Sequence, residues 1–158
     1  MITKRIFTSF VLSLALITGC APEKEQVTID GMTKAFKDAK LPIGDVESFS
    51  KDTDPNEQLG KPGYYSAKAD FADNRLDQIN EEYTEEKDLI GGKIELFENG
   101  VDAKKRYNYL KRLNDPELGP LALDEFLYLH DNVLLRITYD LSEEQAQEYN
   151  KALNNYLD

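Results

Sequence analysis

The sequence predicts a single α+β domain with a four-stranded, mainly antiparallel sheet and about three helices. Three observations carry that expectation. Two runs rich in β-forming residues, 125–130 and 133–139, are separated only by Asp131-Asn132, the pattern of a hairpin with a two-residue turn. Two further short runs, 64–71 and 93–97, read as strands. Around them, apolar residues recur at helical spacing behind the capping residues Asp30, Asn99 and Ser142.

In chain order, Asp30 is expected to cap a first helix whose stripe is Met32, Ala35, Phe36 and Ala39, and Leu41-Pro42 ends it because the residue before proline is pushed out of the α region. From 43 to 63, Gly44, Pro55, Gly60, Pro62 and Gly63 among polar residues predict a long ordered loop. In 64–71, Tyr65, Ala67, Ala69 and Phe71 alternate with Tyr64, Ser66, Lys68 and Asp70, so the first four share one face. The charged stretch 72–89 holds a short helix through Leu76, Ile79 and Tyr83, and Gly91-Gly92 breaks it before the strand 93–97. Asn99 caps a helix that turns Ala103, Tyr107, Leu110 and Leu113 to the core, and Asn114, Pro116, Gly119 and Pro120 close it in a loop. After the hairpin, Ser142 and Gln145 form a capping box, Leu141 is placed to staple onto Ala146, and the stripe of the last helix is Ala146, Tyr149, Leu153, Tyr156 and Leu157.

The chain opens with Lys4 and Arg5 and an apolar run at 6–17, which fits the leader range of about 7–15 residues. A spanning helix needs about 20 apolar residues, and this run meets Pro22, Glu23, Lys24 and Glu25 too soon. Ile17-Thr18-Gly19-Cys20 resembles a bacterial lipobox. The resemblance implies a diacylglycerol on the Cys20 sulfur, cleavage between Gly19 and Cys20, and an amine open to acylation, for example with palmitate. The expected organisation is a signal peptide at 1–19, a lipidated tether at 20–30 and a globular domain at 31–158, held on the extracytoplasmic side of the cell membrane. Two or three acyl chains give the stable attachment that one does not. With its only cysteine capped, the mature chain has neither a disulfide nor a catalytic thiol, so its stability must come from a packed core.

Removing 1–19 takes away two of the 19 basic residues and none of the 30 acidic ones, so the net charge moves from −11 to −13. Such a charge disfavours nucleic acid and anionic lipid surfaces as partners.

Asp54-Pro55-Asn56, Leu59-Gly60-Lys61-Pro62-Gly63-Tyr64, Gly91-Gly92-Lys93-Ile94-Glu95-Leu96-Phe97 and Asn132-Val133-Leu134-Leu135-Arg136 resemble a group of small secreted or lipid-anchored proteins of Gram-positive bacteria, with Lys61 where that group is expected to carry Arg. The likeness covers most of the mature domain. It implies turn and strand chemistry and no activity.

Four constellations invite a functional reading. Asp52, Asp54 and Asn56 open like a calcium loop, but position six is Glu57 and position twelve is Gly63, so Asx-turns with solvated carboxylates are expected. His130 is the only histidine, which leaves no second imidazole for zinc and favours a structural or exposed role. Lys104, Lys105, Lys111 and Arg112, with Arg106 adjacent, put a basic face on an acidic protein, expected to be solvated. Hairpin parity puts Phe126, Tyr128, His130, Val133, Leu135 and Ile137 on one face and Leu127, Leu129, Leu134 and Arg136 on the other. These last four are either covered by the first helix and the long loop or form an interaction patch.

No catalytic residue, metal or cofactor is expected. The leading expectation is a membrane-anchored binding module whose partner is a cell-envelope protein or polymer. A carboxylate-based hydrolase of envelope sugars is the rival class. A released leader peptide acting as a signal is a third.

Overall fold

The computed structural model describes residues 26–77 and 89–158. Its elements are α1 (Ile29–Asp38), β1 (Ile43–Ser48), β2 (Tyr65–Asp73), β3 (Gly91–Phe97), α2 (Gly100–Leu113), a 3₁₀ segment (Pro116–Leu121), β4 (Glu125–His130), β5 (Val133–Thr138) and α3 (Glu143–Leu157). The fold is α+β with an antiparallel sheet in the order β1-β2-β3-β5-β4. The leader expected at 1–19, Cys20, and Ile79 and Tyr83 of the helix expected at 72–89 lie outside the described residues.

The sheet has five strands where four were expected. The extra one, β1, occupies the start of the expected loop, and it was hidden because it barely alternates. Its register against β2 shifts between Ile43 and Val46, and Gly44, Asp45 and Glu47 dilute its two apolar contacts. The glycines at 91 and 92 do not break a helix; they belong to β3. A Cβ at Gly91 would lie 2.5 Å from the Phe71 carbonyl oxygen, and one at Gly92 would lie 2.7 Å from that of Arg136, so only glycine admits the neighbouring strands here.

Helices cover both faces. On the first, α1 and α3 bring Met32, Phe36, Ala146, Tyr149 and Leu153 onto Ala69, Phe71, Ile94, Val133, Leu135 and Ile137. Phe36 meets the Tyr149 ring edge-on with centroids 5.1 Å apart, a favoured aromatic geometry. On the second face, α2 lays Ala103 and Leu110, with Tyr107 and Leu113 half-buried, onto Tyr65, Phe97 and Leu134. Tyr65 was expected beside Ala67 and Ala69. A bulge between Tyr65 and Ala67 sends it to the opposite face, against Phe97.

Local signals set the helix starts. Asn99 accepts the Asp102 N–H at 3.0 Å, and Ser142 and Gln145 form the reciprocal capping box. The first helix begins one residue before the expected cap: Thr28 Oγ1 accepts from Gly31 N at 3.0 Å, so Asp30 lies in the first turn, where its charge suits the helix dipole. The hairpin register is as expected, with His130 opposite Val133, Tyr128 opposite Leu135 and Phe126 opposite Ile137. Asp131 takes the left-handed conformation the turn needs, at φ 46°.

Ser142→Ala leaves the Gln145 N–H without its cap and is expected to cost about 1 kcal/mol, read as a lower denaturant midpoint at unchanged slope.

Candidate functional site

On the second face α2 packs over β3, β5 and β4 and the start of β2; over the rest of β2 and β1 the cover is the loop between β1 and β2. That loop is organised by one carboxylate. Asp54 accepts the backbone N–H of Gln58 at 2.8 Å, of Leu59 at 3.0 Å and of Asn56 at 3.3 Å, and the Tyr65 hydroxyl donates to it at 2.8 Å. The Asx-turn reading of 54–56 holds, but Asp54 is buried rather than solvated, while Asp52 remains exposed. Burial works to raise the Asp54 carboxyl, and the N–H groups and the Tyr65 hydroxyl outweigh it and hold the group below the usual carboxylate range. Tyr65 moves the other way, pushed up by burial and by the carboxylate it bonds.

Beneath this loop lies an open groove of ≈ 1040 Å³. Its lining includes Phe49, Leu59 and Leu89 among Glu47, Lys51, Asp52, Glu57, Lys61 and Asp70. Lys68 is 3 % exposed, and its ammonium sits 3.5 Å from Asp54 Oδ1, 4.0 Å from Asp70 Oδ1 and 4.1 Å above the Phe49 ring. Asp70 is the chemically unusual member. Its Oδ1 is buried and accepts no hydrogen bond. Burial pushes its carboxyl above the usual range, and the nearby charges of Lys68, Lys93 and Arg136 compensate only in part.

The rest of this face carries an ion array. Arg136 donates to Glu95 at 2.7 Å and to Glu125 at 2.7 and 2.9 Å, and Arg106 reaches from α2 to Glu95 with two bonds of 3.0 Å. Burial works to raise Glu95, and Arg106 and Arg136 overcome it and hold the carboxyl low. Arg136 is held fully charged: burial opposes its charge and the two carboxylates overcome that. The same balance of burial against the guanidinium of Arg75 and the Tyr149 hydroxyl holds Asp73 low on the first face.

The four residues of the expected patch line a packed layer. Leu134 and Arg136 are buried, and Leu127 and Leu129 are half-buried against the α2 cluster. The cover is α2, not the first helix and long loop that were expected. His130 is half-buried, with Nε2 2.7 Å from Asn150 Oδ1 on α3. Of the basic helix face, Arg106 turns inward, Lys105 pairs with Asp102 at 2.8 Å and Lys104 lies over the Tyr107 ring. Among the described residues no group of three or more His, Cys, Asp or Glu is arranged to hold a metal ion. Sequence reading missed Lys68, Asp70 and Glu95 as a set. Charged residues at alternate strand positions read as a solvated face, and only the pairing of β1, β2 and β3 brings them together.

Fold and groove together define a three-layer α+β protein with a five-stranded antiparallel sheet and a polar cleft at one side. Comparison with protein-family models, with curated proteins and with solved structures finds no match to the chain.

Glu95→Ala leaves the half-buried Arg106 without its carboxylate and takes from the buried Arg136 one of its two acidic partners, and is expected to cost about 3 kcal/mol, measured by chemical denaturation. The pH dependence has two signs. Asp54, Asp73 and Glu95 sit below their ordinary values, so their contribution is present at neutral pH and lost as pH falls through the folded values, below about 4. Asp70 sits above its ordinary value, so its contribution is present below the unfolded value and is lost as pH rises through the folded one. Asp70→Asn is therefore expected to raise the Tm at pH 7 and to leave it little changed well below pH 4, as read by calorimetry across the pH range.

Proposed function

We propose that this chain is a membrane-anchored extracytoplasmic lipoprotein, tethered through a lipid at Cys20, whose domain binds a component of the cell envelope in the groove beneath the β1–β2 loop. The observation that carries the binding reading is Asp70, a carboxylate whose buried Oδ1 accepts no hydrogen bond at the floor of that groove. Such an orphan oxygen costs stability in the free protein, and a donor from a ligand relieves that cost. Lys51 and Lys61 stand with Glu47, Asp52 and Glu57 on the walls, so the groove suits a polar ligand carrying both signs of charge or many hydroxyls. The anchor places the groove at the cell surface, where such polymers and proteins lie.

A second reading, a carboxylate-based hydrolase, draws on one feature: Asp54 and Asp70 flank Lys68 with their pKa values displaced in opposite directions. Against it, Asp54 spends its oxygens on the loop backbone and Tyr65, which leaves it a positioning group.

Two measurements test the proposal. Cys20→Ala is expected to abolish fatty-acid labelling and membrane partitioning; a wild type that takes up no label sinks the anchor. For the groove, envelope fractions are passed over wild type, Asp70→Leu and the surface control Val101→Glu. A species captured by wild type and the control but lost with Asp70→Leu supports the groove, and equal capture by all three removes it.

A further inference from the structure

The two edges of the sheet are built differently. At β1 the register slips between Ile43 and Val46, and Asp45 and Glu47 lie on the strand; such irregularity and charge are how natural edges avoid pairing. At β4 the register with β5 is unbroken from Glu125 opposite Thr138 to His130 opposite Val133. After Glu125 that strand reads Phe-Leu-Tyr-Leu-His, with no proline, lysine or bulge.

The two-residue turn makes His130 and Val133 a hydrogen-bonded pair. By alternation Tyr128 and Phe126 also spend their backbone bonds on β5, and the N–H and C=O groups of Glu125, Leu127 and Leu129 point away from the sheet. At Glu125 those groups are satisfied: its N–H donates to Leu123 O at 3.1 Å, and the Asn114 side chain donates to its carbonyl. Beyond it, the outward groups of Leu127 and Leu129 meet no helix, loop or side chain among the described residues.

We infer that two copies of this chain pair antiparallel through β4, joining their sheets into one. The strand is self-complementary about Tyr128. A two-fold axis there sets Leu127 opposite Leu129 of the second copy, and Leu129 opposite its Leu127, so the outward positions of both strands meet in the hydrogen-bonded register. Tyr128 then faces its own counterpart, and Phe126 faces His130 of the second copy. Glu125 faces Asp131 at the ends, where its charge is already matched by Arg136 at 2.7 Å. Because the axis is perpendicular to the sheet, the α1 and α3 layers of both copies lie on one side and the α2 layers on the other. Both amino-terminal helices therefore lie on the same side of the joined sheet, as two chains on one membrane require. That last point rests on the lipoprotein reading; the strand pairing does not.

The test uses the full-length chain carrying Cys20→Ser, so an introduced cysteine is the only thiol and the result is independent of the anchor. In the inferred register Tyr128 pairs with itself at a non-hydrogen-bonded site, where Cα atoms lie about 4.5 Å apart, within disulfide reach. Tyr128→Cys is expected to form a disulfide-linked dimer under mild oxidation, while Val101→Cys, exposed on α2, remains monomeric. Adding Leu129→Pro, which deletes an outward N–H and is tolerated at an edge, is expected to abolish the crosslink. In the Cys20→Ser chain without further change, the amides of Leu127 and Leu129 are expected to exchange about tenfold more slowly in concentrated than in dilute solution. This reading decides the matter if the cysteine variant does not fold. Crosslinking at 128 no faster than at 101, or exchange at one rate at every concentration, overturns the inference. So does protection that comes only with an added extended peptide of another sequence.

Discussion

Arg136 sets the architecture of the second face. An arginine only 6 % exposed in the middle of a sheet is tolerable only if its donors are met and its charge is matched. Glu95 on β3 and Glu125 on β4 do this from both flanking strands, and Arg106 brings α2 down onto Glu95. The array therefore ties three strands and one helix to a single geometry. Leu134 and the flanking Leu127 and Leu129 then pack beside it under α2. Removing any one member leaves a bare charge in a poorly solvated layer, which costs more than the intact array contributes.

The groove follows from where that array ends. Toward β2 and β1 the face continues as Lys93, Asp70 and Lys68, but α2 does not reach it, and a loop held by Asp54 stands over it instead. The loop keeps its shape because Asp54 gathers backbone N–H groups from three following residues and a hydroxyl from β2. Asp70 is half-buried, and its buried Oδ1 receives none of the hydrogen bonds that the carboxylates of Glu95 and Asp54 accept. Among the described residues Glu95 and Asp54 have their carboxylate oxygens met, Asp70 Oδ1 is the exception, and the binding proposal rests on it.

Much of the local structure was legible because its causes are local. The capping box at Ser142 and Gln145, the cap at Asn99 and the two-residue turn at Asp131-Asn132 each depend on neighbours within a few residues, and each forms as the residues require. The local pattern misleads where tertiary contact overrides it. Gly91 and Gly92 punctuate a sequence but here admit the backbones of two strands, and Tyr65 leaves its alternating face because of a bulge that only its partner strand reveals. β1 lacked a signal because an edge strand with two inward residues and a register slip has little periodicity to show.

By itself the sequence determined the α+β class, the helix stripes, the hairpin register and the caps at Asn99 and Ser142, because propensity, periodicity and side-chain-to-backbone bonding act over short distances. Only the tertiary structure decided that Lys68, Asp70, Glu95, Glu125 and Arg136 share one partly buried face. Strand order and the bulge in β2 are long-range choices, and the partner that turns a surface charge into a buried ion pair lies on another strand.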